Sequence, residues 1–147
     1  MIALISSILW IVLLLIACGL SARRGGLAER GATLGAFTAW AVSLLVYSRS
    51  WSAPQYATAV TDALLMVLLT ALWLRTHKHW LVVAAGAQLV AVAIHVVFAF
   101  SAGSLWPPTY LTALQLTYWV VVIAIFWGVF KRWSARAVPP TAQIGDR

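Results

Sequence analysis

Acidic side chains are nearly absent from this chain: three among 147 residues, against ten Lys and Arg. A single cysteine, Cys18, leaves no internal disulfide and no thiolate cage for zinc. So few acids and thiols leave little material for the known catalytic constellations. Gly-rich phosphate loops, GxSxG and HExxH are all missing, and enzyme activity is not expected. No internal repeat suggests two related halves. Charged residues of either sign make up only 9% of the chain while 63% is hydrophobic, which excludes a water-soluble globular domain of this size.

What is present suits a lipid bilayer. A hydrocarbon core about 30 Å thick takes roughly 20 apolar residues of helix, and every backbone polar group must be satisfied within the segment. The fold class expected is all-α, a polytopic membrane helical bundle of five transmembrane helices. The segments fall at about 2–20, 34–48, 57–74, 80–100 and 109–130, within one domain at 1–133. The gaps carry breakers or polar residues: SARRGGLAERGAT, RSWSAPQY, RTHKH and SAGSLWPP. The tail 134–147, with Pro139-Pro140, reads as disordered.

The net charge of +7 invites a nucleic-acid partner, but the basic residues are placed for topology instead. Arg23, Arg24, Arg30, Arg75, Lys78, Lys131, Arg132, Arg136 and Arg147 fall on one side of the five-span arrangement, with Arg49 alone on the other. The positive-inside rule then puts the N-terminus outside and the C-terminus in the cytoplasm of a bacterial inner membrane. Leu15-Ile16-Ala17-Cys18 matches a lipoprotein cleavage box. However, no Lys or Arg precedes it, and cleavage would carry the basic loops outward, so an uncleaved helix is favoured.

The nine tryptophans sort by depth. Trp51, Trp106, Trp73, Trp80 and Trp133 fall at the two interfaces as anchors, while Trp10, Trp40 and Trp119 fall deep in their segments, where an indole N–H needs an acceptor.

Polar residues inside the bilayer are the remaining signal. The short RTHKH turn makes segments three and four an antiparallel hairpin, which sets residue 62 opposite about residue 92. His95 then lies about 4–5 Å away in height at 1.5 Å per residue. Gln88 and His95 share a face with Ala84 and Ala91, while Thr58, Asp62, Met66 and Thr70 form the polar stripe of segment three. Tyr47, Gln115 and Tyr118 come from segments two and five at similar depth. The candidate intramembrane polar site is therefore Asp62, His95, Gln88, Gln115, Tyr47 and Tyr118, opening outward. A carboxylate at a membrane centre costs on the order of 3 kcal/mol and wants a partner. The pair either forms a proton site, or Asp62 favours a helix start and His95 is a neutral core hydrogen-bonder.

No metal and no cofactor are expected. His77 and His79 lie in a turn about 25 Å along the helix from His95, too far for paired haem ligands, and two histidines make a poor cage.

Trp106-Pro107-Pro108, with the size, five spans and tryptophan content, resembles the TspO family of five-span tryptophan-rich proteins. That resemblance implies binding of porphyrins or other apolar ligands. In that family the element lies in the first loop, whereas here it precedes the last span, and no residue is carried across. The stretch WSAPQY, then Asp62, HKHW and AQLVAVAIH, is similar to a group of small uncharacterised bacterial polytopic membrane proteins over the middle of the chain; it implies no activity.

Two functions follow. One is a non-enzymatic accessory subunit packing on a membrane-protein partner or a second copy through the small residues Ala84, Ala85, Gly86 and Ala87. The other is an outward-facing binder or proton-coupled carrier of a small apolar or protonatable compound at Asp62 and His95. Besides the lipid bilayer, then, the partners expected are another membrane protein or a small apolar ligand, and not nucleic acid. A reporter fused after Arg147 should be active only in a cytoplasm-dependent form; activity confined to the periplasm-dependent form reverses the topology.

Overall fold

Five apolar stretches interrupted by short breaks fold into five helices: α1 (Ile2–Arg24), α2 (Leu27–Val46), α3 (Tyr56–Thr76), α4 (His79–Phe100) and α5 (Pro107–Ala137). This computed structural model describes the backbone of residues 2–46, 55–101 and 107–137, and the side chains of 9–46, 55–101 and 108–134. Tyr47, Trp51, Trp106 and most of the expected disordered tail lie outside the described residues. Helix α5 continues through Ser134 to Ala137, where the sequence suggests that the tail has begun.

The helices alternate in direction and close a ring. Each packs on its neighbour in sequence, α5 returns to α1, and α5 also reaches across to α2. The core is built from Leu14, Leu65, Leu69, Leu81, Val122 and Ile125 with small alanines between them, and a smaller group of Ala91, Phe98, Tyr110 and Leu114, at the end away from the α3–α4 turn, joins α4 to α5. On the outside, every helix exposes large apolar side chains, among them Leu45, Leu64, Leu89, Val97 and Ile123. A surface this apolar is stable against lipid tails and not against water.

Among the described residues three helices, not five, are long and apolar enough to cross a membrane: Tyr56–Thr76, His79–Phe100 and Pro108–Ser134. The five-span expectation is corrected to that extent. Helix α2 falls short because it starts seven residues earlier than expected, so Glu29 and Arg30 lie in its first turns. The first eight side chains of α1 lie outside the described residues.

The expected polar loop SARRGGLAERGAT shrinks to Gly25-Gly26. Gly25 donates its N–H to the Ser21 carbonyl at 2.9 Å, and a Cβ there would collide with that same carbonyl, so the turn requires glycine. Arg30 reaches back from α2 to the carbonyls of Ser21 (3.3 Å) and Ala22 (2.9 Å), satisfying the end of α1. Ser21 and Thr33 join hydroxyls at 2.9 Å across the α1–α2 contact. The α3–α4 turn uses a different device. His77 adopts the left-handed conformation at φ 51°, and its N–H closes α3 on the Trp73 carbonyl at 2.7 Å.

Trp80 is not the interfacial anchor that its position suggests. It is 3% exposed, and its indole fills the space in front of Gly128 on α5, where any Cβ would overlap the ring. Arg24 stacks over Trp133 at 4.6 Å, tying α1 to the end of α5.

Glu29 closes this end of the bundle. It is fully buried; its Oε1 takes the Lys78 ammonium, and its Oε2 accepts the Gly26 N–H at 2.8 Å. Burial pushes the Glu29 carboxyl up, but the Lys78 hydrogen bond and the Gly26 N–H outweigh it and leave the pKa below the ordinary value. A depressed folded-state pKa stabilises fully above the unfolded value, about 4.3, and that contribution is lost as pH falls through the folded value. Glu29→Gln should therefore lower stability by about 1–3 kcal/mol at pH 7. In thermal melts of the detergent-solubilised protein, the gap from wild type should close below the ordinary glutamate range; a gap constant from pH 7 to pH 3 contradicts this account.

Candidate functional site

The polar stripe of α3 faces α4 and α5, and the hairpin joining α3 to α4 sets the heights. Asp62 is 2% exposed, Gln88 0% and His95 5%. The Asp62 Oδ2 lies 3.1 Å from His95 Nε2 and accepts the Tyr118 hydroxyl at 2.9 Å, while Oδ1 accepts from Gln88 Nε2 at 3.3 Å. On the far side of the imidazole, the Tyr110 hydroxyl lies 2.7 Å from His95 Nδ1.

Tyr118 and Gln88 each donate to the Asp62 carboxyl, and the His95 ring joins that carboxyl to the Tyr110 hydroxyl, the direction of both imidazole bonds depending on its tautomer. A buried carboxyl group ringed in this way avoids the cost of an unsatisfied polar group in a low-dielectric interior. Tyr110, His95 and Asp62 form a continuous line of groups that can each give or take a proton.

Of the six expected site residues, four come together: Asp62, His95, Gln88 and Tyr118. Gln115 is half-buried and makes no hydrogen bond to them among the described residues. Tyr47 lies outside the described residues. Tyr110 is the member that sequence reasoning missed. No local signal marks it: eight positions before Tyr118 it lies about 80° around α5, whereas Gln115 lies about 60° from the same residue.

Beside Asp62 a pocket opens among α1, α2, α3, α4 and α5. Its volume is about 50 Å3. Trp10, Trp40 and Tyr118 make its aromatic wall, with ring centroids 6.2 Å apart from Trp10 to each of the other two. Ala36 and Ala39 make the opposite floor, and Asp62 and Gln88 are its polar side. Two buried polar atoms on these residues find no partner among the described residues: the Trp10 Nε1 donor and the Gln88 Oε1 acceptor. Among the described residues no three His, Cys, Asp or Glu side chains gather as a metal site requires.

Comparison with protein families, with curated proteins and with solved structures finds no match. The site therefore has to be interpreted from its own geometry.

The network predicts unequal costs for its two tyrosines. Tyr118→Phe removes a donor from a charged acceptor and should cost about 1.5–3 kcal/mol, whereas Tyr110→Phe removes a neutral pair and should cost about 0.5–1.5 kcal/mol. Denaturation of both variants in one detergent checks the order; equal losses argue against a charged Asp62.

Proposed function

We propose that the chain is a multi-pass protein of the bacterial cytoplasmic membrane that holds a small, mostly apolar compound bearing a basic group against Asp62. Helices α3, α4 and α5 supply the spans, with α1 and α2 alongside them. The cluster of basic residues around the α3–α4 turn faces the cytoplasm, which puts the Asp62 pocket toward the outside. One observation carries the proposal: a buried carboxyl and two polar atoms unpartnered among the described residues line a pocket otherwise walled by indole, phenol and aliphatic side chains, with the one hydroxyl of Ser43. Apolar walls supply affinity without selectivity. Asp62 would select a cation, and Trp10 Nε1 and Gln88 Oε1 would orient an acceptor and a donor on the ligand. Release can be coupled to protons, because protonation of the Asp62–His95 pair removes the charge that holds the cation.

An accessory role, packing on another membrane protein or a second copy, has one observation in its favour. Gly86 on α4 faces open space between exposed Val82, Val83, Leu89 and Val90, which leaves room for a close helix contact. Of the small residues expected on that face, Ala84 is instead fully buried within the bundle.

The two roles separate in one experiment. An aryl-alkyl amine and the matching alcohol are titrated into the detergent-solubilised wild type, Asp62→Asn and Gln115→Ala. The amine should bind wild type and Gln115→Ala alike, and at least about tenfold more weakly to Asp62→Asn, while the alcohol shows no such difference. Equal binding of amine and alcohol to wild type and Asp62→Asn removes the ligand-binding proposal and leaves the accessory role.

A further inference from the structure

Two short basic strings, HKHW at 77–80 and KR at 131–132, are far apart in sequence, and the fold brings them to one pocket. Between them lies a second pocket, with about 300 Å3 open to water-sized molecules, at the end of the bundle opposite Asp62. Lys78, Lys131 and Arg132 line it together with Trp80, Trp127 and Glu29, and the exposed His77 and His79 stand at its rim.

Among the described residues the charges of this pocket do not balance. Glu29 is the only acidic side chain of those residues that lines it, and its two oxygens are already committed to Lys78 and the Gly26 N–H. Arg132 comes no nearer to it than 3.9 Å, and the Arg132 Nε is buried with no hydrogen-bond partner. Lys131 is exposed beside it. Three cations against one carboxylate leave a surplus of two positive charges at the edge of an apolar bundle.

Helix α4 adds to that surplus. Its N-cap, Lys78, makes no side-chain cap, and the first N–H groups, of His79 and Trp80, find no partner among the described residues. Free N–H groups at a helix start favour an anion. The donors thus come from three segments: the start of α4, the 77–78 turn and the end of α5. A carboxylate offers two oxygens in one plane, whereas a phosphate offers oxygens in several directions and suits both an Arg fork and an ammonium.

We propose that this pocket binds a phosphate group, carried either by the headgroup of an anionic lipid or by a soluble phosphate. For the lipid, Trp127, 49% exposed at the pocket edge, supplies an indole at headgroup depth, and the apolar exterior of α5 supplies a track for the acyl chains. The site is separate from the Asp62 pocket, and its test does not depend on what binds there.

The full chain in mild detergent is offered an equal mixture of phosphatidylglycerol and phosphatidylcholine with identical acyl chains, and retained lipid is counted by native mass spectrometry. Inorganic phosphate is titrated separately against the lipid-stripped protein, with 31P line broadening as the readout. The wild type should retain phosphatidylglycerol in several-fold preference. Lys131→Gln should lower that preference roughly fivefold, and Arg132→Gln at least as far. Lys131 is exposed, so its variant tests the site even if Arg132→Gln disturbs the Glu29 contacts. Arg75→Gln, at the same end but outside the pocket, should stay within about twofold of wild type. Broadening by phosphate that Lys131→Gln abolishes, without lipid preference, assigns a soluble phosphate instead. The proposal is overturned if neither probe binds, if Lys131→Gln binds like wild type, or if Arg75→Gln loses as much as Lys131→Gln.

Discussion

A carboxylate buried at 2% exposure has to be surrounded by donors, and meeting that need at Asp62 sets the relation of three helices. Two donors come from α4, as Gln88 and His95, and one from α5, as Tyr118. Sliding α4 by one residue along α3 moves its side chains by about 1.5 Å in height and 100° in direction, which breaks both bonds at once. Apolar packing alone tolerates such shifts far better, because leucine and alanine contacts carry little directional information. In a bundle whose surface is apolar too, burial does not tell inside from outside, and the directional hydrogen bonds around Asp62 supply the register that hydrophobicity leaves open.

The opposite end uses the same chemistry with a different result. Glu29, also buried, gathers Lys78 and the Gly26 N–H, and so ties the start of α2 to the α3–α4 turn. Around Asp62 the partners are Gln88, His95 and Tyr118, and the carboxyl also borders the pocket. Around Glu29 the cations outnumber the acid, and the surplus belongs to the surface. One end therefore presents a carboxylate beside indole rings, and the other presents cations beside indole rings. The two pockets are complementary in sign, 33 residues apart in the sequence positions of their acids and at opposite ends of the same bundle.

Close packing between these ends depends on small residues. Ala84 and Ala91 are fully buried where α4 meets its neighbours, and Gly128 gives way to the Trp80 indole. Trp10 is held by the rings of Trp40 and Tyr118, and through Tyr118 the pocket wall touches both core groups and the Asp62 network. A change in the protonation of Asp62 would thus be felt directly by the aromatic wall that faces a ligand.

The amino-acid sequence by itself determined the class: an all-helical chain, five helices, apolar on the outside, with basic residues gathered around the α3–α4 turn. It also pointed to Asp62 and His95 at similar height, because the short RTHKH turn and a rise of 1.5 Å per residue leave little freedom there. Only the tertiary structure decided which residues of α5 join them. Tyr110 enters and Gln115 does not, since the rotation of α5 about its axis is set by packing against α4 and α1 and not by any local signal. The role of Glu29 was equally hidden. In sequence it lies in a polar stretch that resembles a loop, and only the Gly25-Gly26 turn, which starts α2 at Leu27, carries it into the bundle beneath Lys78 and Arg132. Local spacing decides which residues share a face; which face turns inward is decided by the partners that the other helices bring.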